Sequence, residues 1–227
     1  MREEKKEIIK NYLLNEKISE EERKERFEIA WDIWENFDNI KLNLKQQMLK
    51  NFINKIKNSD EFKNYEINDE GLIEGKRFKP LIIFKRDWAL SPDNQIGILN
   101  YAFEAEQNSI HENCIGIIKQ DNDKQGIPFK GNWQQFEKNS NELFIKCSEI
   151  YNILGGSSYG WKVSEGWIVW KFLDSFYRGM WQREFYLQII TNDGIKKAVN
   201  YLFSELLTLK SKTEKYIDEI VRIYLKN

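Results

Sequence analysis

A long apolar seam near the carboxyl end limits the folds that this chain can adopt. Its members alternate spacings of four and three residues: Ile195, Val199, Leu202, Leu206, Leu209, Thr213, Tyr216, Ile220 and Ile223. This heptad repeat is typical of a helix that buries one stripe, and only Thr213 interrupts it. Ser211 and Glu214 have the spacing of a capping box, so the sequence allows either one helix or a helix pair with a break near Lys210.

The first sixty residues are predicted to be helical and to supply a cover for that seam. Ser19 and Glu22 form a capping box before one helix. Two apolar stripes follow, one of Phe27, Ala30, Trp31, Trp34 and Phe37 and, on a second helix, one of Met48, Leu49, Phe52, Ile53 and Ile56. Because packing within one chain loses no translational entropy, we expect a helical layer that joins both termini, and we favour a monomer over a dimer. A helical arm that binds a partner is the alternative for this region.

Short runs typical of strands dominate the middle of the chain. We predict strands at 65–67 and 72–73, joined by a turn, then at 81–84, 95–106 and 114–120, and a hairpin over 161–172. Helices are predicted over 133–154, ending at a Gly-Gly pair, and around 181–190, before a turn at 192–194. The sequence therefore predicts an α+β fold with an antiparallel sheet of five or six strands backed by helices. We predict a helical module at 1–60 and an α+β domain at 61–227, packed as one unit.

Charge and cysteine content exclude several classes of protein. Lys and Arg total 35 against 36 Asp and Glu, so the chain lacks the basic excess of a typical nucleic-acid-binding protein. Two Cys cannot form a disulfide framework, and one His leaves few metal sites. Cys147 and His111 could form a nucleophilic pair, but Cys147 lies on an apolar helix stripe, which favours a core role. No apolar leader and no run of ~18 apolar residues occurs, so we predict a cytoplasmic protein with no membrane partner.

Three carboxylates form the candidate catalytic constellation. Asp93 lies in a predicted turn, and Glu104 and Glu106 lie on the following strand, where alternation places both on one face. Carboxylates in this arrangement can share a hard cation such as Mg²⁺. The spacing resembles the motif of the PD-(D/E)XK nuclease superfamily, with Glu106 at the position of the motif's lysine. The resemblance implies a divalent-metal-dependent nuclease with a degenerate motif.

A second resemblance covers about residues 78–226. The residues that carry it lie in short motifs: Lys85-Arg86-Asp87-Trp88, Ile96-Gly97-Ile98, Ile115-Gly116-Ile117, Trp161, Trp167 and Trp170. This region is similar to the accessory region that follows the catalytic core in PD-(D/E)XK-type proteins of bacteria and prophages. The resemblance implies a protein that binds and regulates instead of cutting, in the setting of phage–host conflict.

A run of aromatic and basic residues near position 180 is the candidate binding site. It contains Tyr177, Arg178, Trp181 and Arg183. Such a mixture suits base stacking with phosphate contacts, and it equally suits the centre of a protein interface. A structural role is the competing interpretation, with the aromatic rings in the core and the arginines solvated.

From the sequence we predict a non-enzymatic protein that binds another protein and acts as a regulator or inhibitor. This prediction includes no cofactor and no bound metal. Two alternatives remain open. One is a Mg²⁺-dependent nuclease that uses Asp93, Glu104 and Glu106, and the other is a nucleic-acid-binding module that uses the run at Tyr177–Arg183.

Overall fold

A computed structural model describes residues 2–73, 80–89, 91, 96–105, 113–119, 141–164, 166–179 and 182–226. Within these ranges the predicted α+β class is confirmed. The helices are α1 (Arg2–Leu13), α2 (Glu20–Lys57), α3 (Glu70–Ile73), α4 (Asn141–Ile153), α5 (Ser175–Arg178), α6 (Arg183–Ile189) and α7 (Asn192–Lys226). The strands are β1 (Tyr65–Asn68), β2 (Leu81–Lys85), β3 (Leu99–Glu104), β4 (Cys114–Lys119) and β5 (Trp167–Phe172). Among the described helices, none is long and apolar enough to cross a membrane.

The chain divides into two compact units, one ending at Leu44 and one starting at Lys45. The predicted cap of α2 is confirmed, because the Glu22 amide donates to Ser19 Oγ at 3.1 Å. The prediction of separate helices for the two apolar stripes is wrong. Since no Gly or Pro occurs between residues 20 and 57, nothing interrupts the backbone hydrogen bonds, and α2 runs through 38 residues.

The five strands form one antiparallel sheet in the order β1-β2-β3-β4-β5. Tyr101 of β3 faces Ile83 of β2 and Ile117 of β4, so these three side chains share one face. Gly116 is required where β4 approaches β5, because a Cβ there would lie 2.2 Å from the Val169 carbonyl oxygen. The predicted hairpin over 161–172 forms through one bridge between Lys162 and Trp170.

The predicted strand at 72–73 is wrong, because these residues belong to α3. β1 pairs instead with β2, with Tyr65 opposite Lys85. The turn is set by Asp69, whose carbonyl accepts from the Leu72 amide at 3.2 Å and whose carboxylate lies 2.8 Å from Lys57 Nζ. Leu72 is buried, so local capping and side-chain burial together outweigh the strand propensity of this short segment.

The start of α7 corrects a second prediction. Residues 192–194 are the first turn of the helix and not a loop, because Thr191 Oγ1 accepts from the Gly194 amide at 3.1 Å and so caps the helix. Gly194 is required at this position, since a Cβ there would lie 1.7 Å from the Gln188 carbonyl oxygen.

The apolar seam lies on one helix without a break near Lys210. Thr213 is fully buried, and its Oγ1 donates to the Leu209 carbonyl at 2.7 Å within the helix. It also lies 3.4 Å from the Tyr101 hydroxyl. Because the hydroxyl is satisfied inside the helix, the polar residue does not interrupt the seam.

One face of the sheet forms the core of the second unit. α7 contacts β3 and β4 as well as α4 and α6. The carboxyl-terminal part of α2 reaches the same face, where the Phe52 and Phe103 rings lie 5.5 Å apart in an edge-to-face arrangement. The predicted burial of the stripe at residues 48–56 is therefore confirmed.

Candidate functional site

Of the three carboxylates predicted to bind a metal, the structure describes only Glu104. Its half-buried side chain lies at the end of β3, with Oε2 3.8 Å from Cys114 Sγ on the neighbouring strand. Asp93 and Glu106 lie outside the described residues, as do His111 and all but Ser91 of the turn predicted at residues 91–94. Among the described residues, no group of three or more His, Cys, Asp or Glu side chains is arranged to hold a metal.

Two residues of the predicted binding run pack against their own chain. The Tyr177 ring stacks on the Tyr201 ring of α7 at 4.1 Å, and its hydroxyl accepts from Gln188 Nε2 at 3.2 Å. The Arg178 guanidinium lies 4.1 Å from the centre of the Phe172 ring, which favours a cation–π contact. The Asn113 side-chain amide donates to the backbone carbonyls of both residues. These contacts favour a structural role for this pair.

Of the other two residues of that run, the structure describes only Arg183. Arg183 begins α6, and its exposed side chain lies 4.0 Å from that of Glu184. Trp181 lies outside the described residues. The predicted four-residue binding site therefore stays a prediction.

A cluster of four charged side chains connects β2 to α7. Lys85 Nζ lies 2.7 Å from a Glu214 oxygen and 2.9 Å from an Asp218 oxygen. Lys210 Nζ approaches the other Glu214 oxygen at 3.1 Å, and Trp88 Nε1 donates to Asp218 at 2.7 Å. Lysines paired with carboxylates in a partly buried site are also found in catalytic centres, so the charge state of each group decides what the cluster can do.

The protonation states of Lys85 and Glu214 are firmly held. Desolvation opposes the charge on Lys85, but the carboxylates of Glu214 and Asp218 outweigh it and raise the pKa of Lys85 above 10.5. Burial alone would raise the pKa of Glu214, yet the hydrogen bonds from Lys85 and Lys210 lower it below 4.5. Burial also raises the pKa of the adjacent Tyr65 well above its ordinary value. Lys85 and Glu214 therefore stay charged and Tyr65 stays neutral at neutral pH, which favours a structural clamp over proton transfer.

A cavity of about 530 Å³ opens beside this clamp. Its charged lining residues are Lys63, Lys85, Arg86 and Lys210, with Asp60, Glu61, Asp87 and Glu214. Small-molecule sites of this size are usually lined by apolar and aromatic side chains with a few polar groups. Here cations and anions balance, so the lining does not select a ligand by charge.

The Cys147 thiol is buried on the inner face of α4, as its apolar stripe predicted. Burial raises the pKa of Cys147 to about 12, so the thiolate is scarce at neutral pH. Because the thiolate is the nucleophilic form, a core role is favoured for this residue.

The first unit carries an exposed ridge of aromatic rings on α2, formed by Phe27, Trp31, Trp34 and Phe37. We call these four residues the aromatic ridge. The exposed fractions are 51% for Phe27, 49% for Trp31, 70% for Trp34 and 51% for Phe37. Ring centroids of Phe27 and Trp31 lie 6.2 Å apart, and those of Trp31 and Trp34 lie 5.3 Å apart. Within the first unit this stripe therefore stays exposed and does not pack as expected, and the rings of Phe27, Trp31 and Trp34 form a continuous apolar surface.

Isoleucines extend this apolar surface around the helix. Ile29, Ile33 and Ile40 are exposed by 48%, 52% and 40%. At the start of the unit, the Arg26 guanidinium lies over the Tyr12 ring at 4.6 Å, and it donates to the Tyr12 carbonyl at 3.0 Å. α1 thus contacts α2 at Arg26, one turn before most of the ridge.

The sequence pattern located the aromatic ridge but could not show that it is exposed. A stripe of apolar residues at helical spacing is the same signal whether a protein covers it with its own sheet or leaves it open. The charge pattern offered a further signal, because residues 27–40 contain four acidic residues and no Lys or Arg. No known protein family, curated protein or solved structure matches the chain, so the functional argument depends on this geometry.

Proposed function

We propose that this chain is a non-enzymatic protein that binds another protein as a regulator or inhibitor. We further propose that the aromatic ridge of α2 is its contact surface. The exposure of four large rings on one helix is the observation that carries the proposal. On the resemblance drawn from the sequence, phage–host conflict is the setting that we propose for it.

The size of the ridge supports a binding role. Four aromatic side chains at this exposure present roughly 400 Å² of apolar surface, given the area that each ring can bury. That equals the largest apolar patch of an ordinary monomer, and such patches commonly mark interaction sites. At ~25 cal/mol per Å², covering it would release about 10 kcal/mol before the entropy of association is subtracted.

The chemistry of the side chains points in the same direction. Trp is enriched among the residues that contribute most to binding between proteins, because a rigid ring buries a large area at a low cost in entropy. Elsewhere, the clamp at Lys85 and the thiol of Cys147 are held in forms that favour structural roles. The ridge is therefore the described feature that folding alone explains least well.

The test uses the full chain immobilised and exposed to a lysate of the native host. The test variant is Trp31→Ala/Trp34→Ala, and the control is Leu187→Ala/Ile190→Ala, which removes two exposed apolar side chains from the second unit. We expect a protein that the native chain and the control retain and the tryptophan variant loses. Both variants should keep the far-ultraviolet circular dichroism of the native chain, because Ala is favourable in a helix.

The partner found in this way is then purified for binding and activity measurements. Loss of two central aromatic anchors should raise its Kd by at least about 30-fold, which corresponds to ~2 kcal/mol. A regulator or inhibitor should change the partner's activity at equimolar ratio. The proposal fails if the tryptophan variant retains every protein that the native chain binds, or if the partner's activity is unaffected.

A further inference from the structure

We propose that the partner presents an apolar groove bordered on one side by Lys and Arg residues. This inference rests on the function proposed above and adds the chemistry of the partner. It depends on the order of residue types around α2, on the ion pairs that the chain itself forms there, and on how two copies of the same face would meet.

The sequence of the exposed helix repeats a simple order. Each ring of the ridge is followed directly by a carboxylate, at Glu28, Asp32, Glu35 and Asp38. Successive residues of a helix are about 100° apart around its axis, so the first three of these carboxylates line one side of the ridge. Ile29 and Ile33 follow one residue later and lie on its other side. The face is therefore apolar in the centre, acidic along one flank and apolar along the other.

The acidic flank is only partly neutralised within the chain. Lys24 Nζ lies 3.9 Å from Glu28 of the flank, and Asp38, which lies outside the flank, pairs with Lys41. Within the part of the chain that the structure describes, Asp32 and Glu35 form no ion pair, and they lie beside Trp31 and Trp34 at the centre of the ridge. A partner that covers the rings thus meets two carboxylates at its border, and cations there would be favoured over anions or apolar groups.

A second copy of the chain does not fit this face well. If two ridges paired in antiparallel fashion, the two acidic flanks would face each other and repel. If they paired in parallel, each acidic flank would face the isoleucines of the other copy, and carboxylates would lose water without gaining a partner. Nucleic acid is disfavoured for the same reason, because its phosphates would approach Asp32 and Glu35.

A groove that receives an amphipathic helix is the recognition mode that matches these features. The ridge from Phe27 to Phe37 spans about 15 Å along the helix axis, close to three turns. Lysine or arginine side chains bordering such a groove could pair with the carboxylates and also lie against the exposed indole faces. The inference thus specifies both the apolar centre and the charge of the partner's border.

The test uses the full chain and two synthetic helix–loop–helix peptides labelled with fluorescein, in which two helices of about five turns each form a groove between them. Leucines line the groove of both peptides, and one peptide has lysines along one border of the groove where the other has glutamates. Fluorescence anisotropy gives the Kd of each at about 50 mM and about 500 mM NaCl, since salt screens the charge contribution. We expect the lysine peptide to bind at least about tenfold more tightly at low salt, with a smaller ratio at high salt.

Three variants make the test specific. Asp32→Lys/Glu35→Lys should reverse the preference between the peptides. Glu142→Lys/Glu184→Lys changes the net charge equally at exposed sites in the second unit and should leave the preference as it is. Trp31→Ala/Trp34→Ala should raise the Kd of both peptides at high salt, because the substitutions remove the apolar contact.

The inference is overturned if neither peptide binds, if both bind equally, or if the lysine double variant keeps the native preference. It is also overturned if the chain is a dimer that Trp31→Ala/Trp34→Ala dissociates, because a second copy would then occupy the face. In each case the proposed function is judged separately by whether the tryptophan variant loses a host protein in the capture experiment.

Discussion

Replacing Lys85 with Met removes the cation that joins Glu214 to Asp218 and leaves the aliphatic stem in place. The three side chains are 22–29% exposed, so their contacts are mostly shielded from water. A hydrogen bond to a charged group contributes about 1.5–3 kcal/mol when buried, and partial exposure lowers that value. Lys210 still contacts Glu214, and Trp88 still donates to Asp218. We therefore expect the free energy of unfolding to fall by about 2–3 kcal/mol near pH 7.

The loss should depend on pH in a defined direction. The pKa of Glu214 is lowered in the folded state, so its contribution to stability is present above its ordinary pKa of 4.5. That contribution is lost as the pH falls through the lower, folded-state pKa. The pKa of Lys85 is raised, so its contribution persists below 10.5 and is lost only as the pH rises beyond its folded-state value. The difference between the native chain and Lys85→Met should thus be largest between about pH 5 and pH 10 and shrink below pH 4.

The assay is chemical denaturation followed by far-ultraviolet circular dichroism across this pH range. Lys57→Met is the control, because Lys57 also lies 2.8 Å from a carboxylate, that of Asp69, but is 46% exposed. We expect the free energy of unfolding of this control to fall by less than about 1 kcal/mol. The cluster is not the clamp described above if Lys85→Met lowers the free energy of unfolding by no more than Lys57→Met does. The same holds if the effect of Lys85→Met does not become smaller in acid.

Three further predictions concern the core and the nuclease alternative. Leu202→Asp should lower the free energy of unfolding by about 4 kcal/mol or more, because it buries an unpaired charge in the core of the second unit. Leu187→Asp, on the exposed side of α6, should lower it little. Gly116→Ala should lower the free energy of unfolding by about 3 kcal/mol, because the new Cβ would clash with the β5 backbone. Gly166→Ala should change it by no more than about 0.5 kcal/mol, because a Cβ there has no neighbour within 4 Å. The native chain and Glu104→Gln should behave alike when each is incubated with plasmid or RNA and Mg²⁺ or Mn²⁺. If the native chain cleaves the nucleic acid and Glu104→Gln does not, the result favours the nuclease and contradicts the proposed function.

The aromatic ridge also has a cost for the free protein. Exposed rings on a helix favour non-specific association, and the acidic residues beside them oppose it through repulsion between copies. The same carboxylates would therefore help to keep the unbound chain in solution, in addition to the selection of a basic partner that we propose for them.

Local signals in the sequence were sufficient for the α+β class, the cap at Ser19 and the apolar seam of α7. Each depends on short-range physics: a side chain that satisfies a nearby amide, or a residue spacing that matches the helical repeat. The predictions are wrong where two local signals favour different structures. Residues 72–73 have strand propensity, but the turn at Asp69 places them in α3. Residues 192–194 are typical of a turn between elements, but the cap at Thr191 makes them the first turn of α7.

What the sequence alone determined is which residues lie on a common helix face or strand face, because periodicity follows from backbone geometry. It could not determine what covers each face. Phe52 lies against Phe103 in the core, whereas Trp34 is 70% exposed, although both belong to apolar stripes on the same uninterrupted helix. The difference depends on which distant strands and helices the fold brings to each end of α2. Burial is a property of the packed tertiary structure, and only that structure revealed the exposed ridge on which the proposed function depends.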